Sequence, residues 1–147
     1  MNIKSNGNAT PDQIASMQNR FSVDLPDDYK EFLKKTNGGI CSLNEQNNIF
    51  VKQANESISV LVLYGIETNE DAASVNYWMD QYRSEIQTDM LIIGDSTANG
   101  FFVMDCGAKG AIYYWDDSYT FACSDDEQNT YRIADNFSAF VQIIGNQ

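Results

Sequence analysis

Histidine is absent from this chain, and that absence excludes more chemistry than any other feature. No imidazole base, no Ser–His or Cys–His nucleophile pair and no imidazole metal ligand can be built from it. Cysteine is scarce as well. Cys41, Cys106 and Cys123 form an odd set without a C-x-x-C spacing, so neither a disulfide framework nor a common zinc site is expected. Small side chains in a reducing compartment account for them. No segment approaches the roughly 20 consecutive apolar residues of a membrane span. The first residues, Met1-Asn2-Ile3-Lys4-Ser5-Asn6, lack the apolar stretch of a secretory leader. The expected location is the cytoplasm, and neither a metal nor an organic cofactor is expected.

Positive charge is the remaining shortage. Residues 1–60 carry seven acidic and six basic side chains, a balance of −1, whereas residues 61–147 carry fourteen acidic and only three basic ones (Arg83, Lys109 and Arg132), a balance of −11. The total of −12 repels nucleic acid and anionic membrane and attracts basic partners. What the chain has in quantity is apolar and aromatic surface. Its 147 residues are 43% hydrophobic, with eight Phe, eight Tyr and two Trp. That is enough for one folded domain, which at this length buries about 70% of its unfolded surface.

The elements follow from periodicity and punctuation. Residues 1–9 are polar and untidy, a predicted N-terminal tail, and 10–147 form the predicted domain. Thr10 is placed to cap a helix, with Pro11 at its first position and Gln13 completing a capping box. Leu25 to Thr36 predicts a second helix. Short strands are expected at Ile40–Leu43 and Ile49–Lys52, and a buried one at Ser57–Tyr64. Val75, Trp78, Met79, Tyr82 and Ile86 recur at helical spacing, so Glu70–Ile86 predicts the longest helix. Met90–Gly94, Phe101–Asp105 and Ala111–Trp115 predict strands joined by the turns Asp95–Gly100 and Gly107–Gly110. Phe137, Phe140, Val141 and Ile144 give a closing helix its inward face. Helices at both ends and in the middle, with hairpin-like strands between, predict an α+β domain: a mostly antiparallel mixed sheet flanked by helices.

The most informative wording is Leu25-Pro26-Asp27-Asp28-Tyr29-Lys30-Glu31-Phe32-Leu33 running into Asn37-Gly38-Gly39. Proline suits a helix start, and the early carboxylates suit the positive end of the helix dipole. Tyr29, Phe32 and Leu33 share one face, and Asn-Gly-Gly tolerates a left-handed cap. This passage resembles the hallmark of the SMI1/KNR4 (SUKH) family. The helix of Ile14, Met17 and Phe21 and the run from Met90 to Asp117 resemble further parts of that family, and the closing segment Ile133 to Ile144 resembles its C-terminal helix. About Cys41 to Glu70 carries no such wording. The resemblance implies the SMI1/KNR4-like fold. It also implies one of two roles: a bacterial immunity protein that neutralises a toxin, or an intracellular scaffold of cell-wall synthesis like the fungal members.

Enzymatic chemistry has few places to reside. Asp95 with Asp105, or Asp116 with Asp117, are the conceivable carboxylate pairs of a glycosidase-like site. Turn capping by Asp95 and Asp105 explains the first pair better. Gly107-Ala108-Lys109-Gly110 lacks a phosphate-loop pattern and leads into a strand. Asp116, Asp117, Asp125, Asp126 and Glu127 do not follow the spacing of a calcium loop. Trp78 and Tyr82 lie on the apolar stripe of the central helix and belong to the core, while Tyr77 lies off it and is expected to be exposed.

The segment Trp115–Tyr131 is the best functional candidate. Its carboxylates are interleaved with Tyr114, Tyr119, Phe121 and Tyr131. Aromatic anchors and a steering field are what a protein interface uses. Asp116, Asp117, Tyr119, Asp125, Asp126 and Glu127 are the expected contact residues for a basic protein partner. The chain is accordingly expected to be a non-enzymatic binding module. On the family resemblance, that partner is a cognate toxin domain, and a nuclease fits the charge.

Overall fold

The computed structural model describes residues 2–145. Met1 of the predicted tail and Asn146 and Gln147 at the end of the predicted domain lie outside the described residues, as does the side chain of Gln46. The described residues form one α+β domain of eight strands and four α-helices: β1 (Ile3–Ser5), α1 (Pro11–Phe21), α2 (Asp27–Lys35), β2 (Gly39–Cys41), β3 (Asn48–Val51), β4 (Glu56–Leu63), α3 (Val75–Tyr82), β5 (Met90–Ser96), β6 (Phe101–Asp105), β7 (Ala111–Trp115), β8 (Thr130–Ala134) and α4 (Phe137–Gly145). The sheet is open and runs β1-β2-β4-β5-β6-β7-β8, with β3 paired to the first half of β4. Every strand pair is antiparallel. Part of the predicted tail belongs to the sheet, because Ile3–Ser5 pairs with Gly39–Cys41 as an edge strand.

Register divides the central side chains between two faces. Phe102 pairs with Tyr114 and Met104 with Ile112, and all four are buried. α2 and α4 cover this face. Phe140 meets Phe102 at a ring distance of 5.2 Å, and Phe137 meets Tyr29 at 5.0 Å and Phe32 at 4.9 Å. Each such aromatic contributes about 1.5–3 kcal/mol through burial. Phe101, Val103, Tyr113 and Trp115 lie on the other face. α3 covers only part of it, through Trp78 and Tyr82 against Phe101 and through Tyr82 against Trp115.

The helix caps follow the sequence closely. The Gln13 amide donates to Thr10 Oγ1, and Gln13 Oε1 accepts from the Thr10 amide, which is the reciprocal box at the start of α1. After α2, Asn37, Gly38 and Gly39 take φ values of +49°, +74° and +150°. They reverse the chain directly into β2. Asn37 is buried, and its amide acts as a short strand neighbour: Nδ2 donates to Ile66 O at 3.1 Å and Oδ1 accepts from Ile66 N at 2.8 Å. Asn47 does the same for Val60, at 2.6 and 3.1 Å. These two amides satisfy backbone groups that the sheet leaves unpaired.

Two predicted elements are corrected. The helix expected over Glu70–Ile86 is only Val75–Tyr82. The residues before it are drawn into pairing with Gly65, whose amide donates to Ala73 O and whose carbonyl accepts from Val75 N. After Tyr82 the chain tightens, Glu85 N donating to Tyr82 O. The closing helix starts at Phe137, not Ile133, because Thr130–Ala134 is strand β8, alternating outward and inward beside β7. Asn136 then caps α4, accepting from the Ala139 amide at 2.8 Å.

Candidate partner-binding site

The uncovered part of the α3 face is a groove of about 590 Å³. Val103, Tyr113, Trp115 and Thr130 form its floor, as the registers of β6, β7 and β8 require. Glu85, Ile86 and Gln87, the residues that follow α3, make one wall together with Met90. Asp117, Tyr119 and Asn129, from the two ends of the β7–β8 loop, make the other. An aromatic ladder backs the floor. Trp115 meets Phe101 at 5.8 Å and Tyr82 at 5.5 Å, and Trp78 stacks on Tyr82 at 6.1 Å and on Tyr64 at 5.8 Å. The indole floor is thereby held in place by packing.

The loop between β7 and β8 is organised from within by Asp116. This residue is only 1% exposed. Its Oδ1 accepts from Thr120 N at 2.9 Å, and its Oδ2 accepts from Phe121 N at 2.8 Å and from Ser124 Oγ at 2.5 Å. Asp116 therefore cannot contact a partner, and its expected role as a contact residue is corrected: it holds the loop's shape. Phe121 is buried between Tyr114 and Tyr131, each at 5.5 Å. Tyr114 and Tyr131 are buried as well, so of the interleaved aromatics only Tyr119 faces solvent.

The other expected contact residues divide into two groups. Asp117 and Tyr119 line the groove. Asp125, Asp126 and Glu127 are exposed on the loop beside it. Asp125 Oδ1 accepts from the Glu127 and Gln128 amides, at 2.9 and 2.8 Å, and Tyr119 donates its hydroxyl to Asp126 Oδ1. The salt bridges among the described residues are Arg20–Asp80, Lys30–Asp27, Lys34–Glu31 and Arg132–Asp135. None of them ties up the loop carboxylates. Burial raises the pKa of Asp117; nearby loop amides oppose this, and the neighbouring charges of Asp116 and Glu85 add to it. Its Oδ1 is buried without a well-formed hydrogen bond among the described residues.

Glu85, Tyr113 and Trp115 were not singled out as site residues from sequence. The signal for the last two was alternation: in Tyr113-Tyr114-Trp115 the middle ring must point away from its neighbours. Glu85 had no local signal, because only the fold brings it to Trp115.

The first conceivable carboxylate pair is taken apart by the geometry. Asp95 aligns with Phe101 at one end of the β5–β6 ladder and Asp105 with Met90 at the other, roughly 13 Å apart at the usual strand rise and beyond the separation of glycosidase carboxylates. Asp105 caps a turn as expected, accepting from Gly107 N at 3.0 Å. Asp95 does not cap the turn that follows β5. It lies within the strand and accepts from Val62 N at 3.2 Å and from Tyr64 Oη at 2.7 Å, and the turn is instead closed by Ser96 Oγ accepting from Ala98 N. The thiols of Cys41 and Cys106 are pushed up by burial to about 11 and about 12, so both are protonated and weakly nucleophilic near neutrality. Cys123 is exposed. Among the described residues, no group of three or more acidic or cysteine side chains is arranged to hold a metal ion, and no helix is long and apolar enough to cross a membrane.

Asp95 yields a pH prediction. Burial raises its folded-state pKa, with the Tyr64 and Val62 hydrogen bonds only partly opposing this. Such a group favours folding most below its unfolded value of about 3.9, and the benefit is lost as pH climbs through the folded value. Asparagine has the same shape without the charge, and the Tyr64 hydroxyl can accept from its amide. Asp95→Asn is therefore expected to raise the melting temperature at pH 7 and to change it little near pH 3. A lower melting temperature at pH 7 would show that the charged form is the favoured one.

Residues 8–143 match the family model of SMI1/KNR4 (SUKH-1). This chain belongs to the SMI1/KNR4 family. A search of curated proteins gave no match. The matched span includes α1 to α3, strands β2 to β8 and most of α4, and so both walls and the floor of the groove. In this SMI1/KNR4 domain the hallmark passage is structural. Leu25, Tyr29 and Leu33 are buried, and Asn37-Gly38-Gly39 forms the α2–β2 corner. The groove lies on the opposite face of the sheet from α2, built by residues outside the hallmark.

Proposed function

We propose that this SMI1/KNR4 domain is an immunity protein that binds a cognate toxin domain and blocks it by stoichiometric occlusion. The supporting observation is the exposed row Asp125, Asp126 and Glu127, free of salt bridges among the described residues, standing beside a preformed groove with an aromatic floor. Family membership is in keeping with a role of this class, and the charge of −12 favours a basic partner. A nuclease is the natural target, since its substrate groove must be basic to hold phosphates. The action proposed is binding and occlusion without catalysis, in the cytoplasm where such a toxin would do harm.

A gene with a toxin-like C-terminal domain is expected beside this one, and the test is a pull-down and titration with that domain. Wild-type protein is expected to form a one-to-one complex that weakens as salt is raised. Asp125→Lys, Asp126→Lys and Glu127→Lys combined are expected to slow association on the order of 10–100-fold, since steering acts mainly on the encounter. Absence of a complex at low salt would end the proposal. A complex indifferent to the triple reversal would move the contact surface elsewhere.

A further inference from the structure

We propose that the groove is a receptor for a single arginine side chain of the partner, with the guanidinium between the Asp117 and Glu85 carboxylates and the aliphatic stem along Trp115 and Tyr113. This rests on the reading above that the partner is a basic protein, and it names the group by which such a partner is gripped.

Charge is the first argument. Asp117 and Glu85 both line the groove, and the Glu85 charge is among the causes that raise the Asp117 pKa. The charges that act on Asp117 are those of Asp116 and Glu85, both negative. Among the described residues no arginine forms a salt bridge with Asp117 or Glu85. Arg83 lies over the Phe21 ring and donates to Arg20 O, and Arg132 pairs with Asp135 at 3.0 Å. Two carboxylates on one cavity cost free energy until a cation joins them.

Hydrogen bonding is the second argument. Asp117 Oδ1 is buried without a well-formed partner among the described residues, so this half-buried residue lines the groove with acceptor capacity that its own chain leaves unused. The floor is the third. The rings of Tyr113 and Trp115 line the groove, and aromatic faces attract a planar, weakly hydrated cation. The chain itself shows this mode one strand away: Arg132 sits over the Tyr113 ring at 5.7 Å and donates to its hydroxyl at 3.2 Å. Arginine fits better than lysine because its fork presents donors in two directions, one for each wall, whereas an ammonium is a compact point charge that retains its water.

The experiment uses the full chain, labelled with ¹⁵N, and the probe acetyl-Gly-Arg-Gly-amide with its lysine and citrulline counterparts. The chain has two tryptophans, so Trp115→Phe assigns the indole N–H signal of Trp115. The arginine peptide is expected to shift that signal saturably, binding about tenfold or more tighter than the citrulline peptide, which keeps the shape and loses the charge. Asp117→Asn and Glu85→Gln, each checked for an unchanged melting curve, are expected to weaken it at least about fivefold. Combined Asp12→Asn and Glu56→Gln, two exposed carboxylates that do not line the groove, are expected to leave it within about twofold. The proposal is overturned by an unmoved Trp115 signal, by equal binding of the citrulline or lysine peptide, or by indifference to both Asp117→Asn and Glu85→Gln. If the toxin still binds and the peptide does not, the arginine pocket fails and the immunity role stands. If the peptide binds as described and the toxin does not, the reverse holds.

Discussion

Asp116→Ala is expected to destabilise the protein by about 3–4 kcal/mol and to loosen the loop from 117 to 129 as a unit. The substitution removes the shared acceptor of two backbone amides and the Ser124 hydroxyl. Hydrogen bonds to a charged group contribute more than neutral ones, and the orphaned Phe121 amide would remain buried without a partner. Phe121 would then lose its fixed seat between Tyr114 and Tyr131. Denaturant unfolding gives the free energy, and hydrogen exchange at Thr120 and Phe121 gives the loop. Asp125→Ala is the control, because its two amide contacts lie on the surface, and a loss under about 1 kcal/mol is expected there. Equal losses at the two sites would show that Asp116 is no organiser.

Gly39→Ala is expected to cost at least about 4 kcal/mol, enough to threaten folding in a domain of ordinary stability. A methyl group there would stand 2.0 Å from the Lys4 carbonyl oxygen. Gly38→Ala would put one 2.3 Å from the Leu63 carbonyl oxygen. Both obstacles are backbone in the sheet and cannot swing aside. Gly7→Ala separates the clash from the conformational penalty. Gly7 also has a positive φ, of +105°, with nothing within 4 Å of an added Cβ, so only the backbone strain of about 1–2 kcal/mol is expected there. If Gly39→Ala and Gly7→Ala melted alike, the close approach at the corner would not be the reason for the glycine.

The sequence disclosed what is governed by neighbours along the chain. Thr10 and Gln13 spelled out a capping box and form one. Asn37-Gly38-Gly39 announced a left-handed reversal and makes it. Tyr77, off the stripe of α3, is exposed, while Trp78 and Tyr82 pack on the sheet. What it withheld depends on contacts across the sheet. The apolar spacing through Glu70–Ile86 is helical, yet pairing with Gly65 overrides its first part. Thr130–Ala134 has the alternation of a strand, but its position before an apolar helical run disguised it. Asp116 and Asp117 are indistinguishable as letters. They differ because consecutive side chains leave β7 in opposite directions, one into the loop's interior and one into the groove. The groove itself was illegible, since Glu85 and Trp115 are thirty positions apart and meet only through the packing of α3 on β5 and β6.

The amide of Asn37 has a chemical consequence as well as a structural one. An asparagine followed by glycine is prone to cyclise to a succinimide, because the unshielded glycine nitrogen can attack the side-chain carbonyl carbon. In this fold the side-chain amide is not free to turn, with Oδ1 and Nδ2 both fastened to Ile66. Deamidation at this position therefore waits for the corner to open, and the aspartate or isoaspartate left behind could no longer donate to Ile66 O. Ageing of the molecule is gated by its own folding, and a single lapse at this spot is written permanently into the chain.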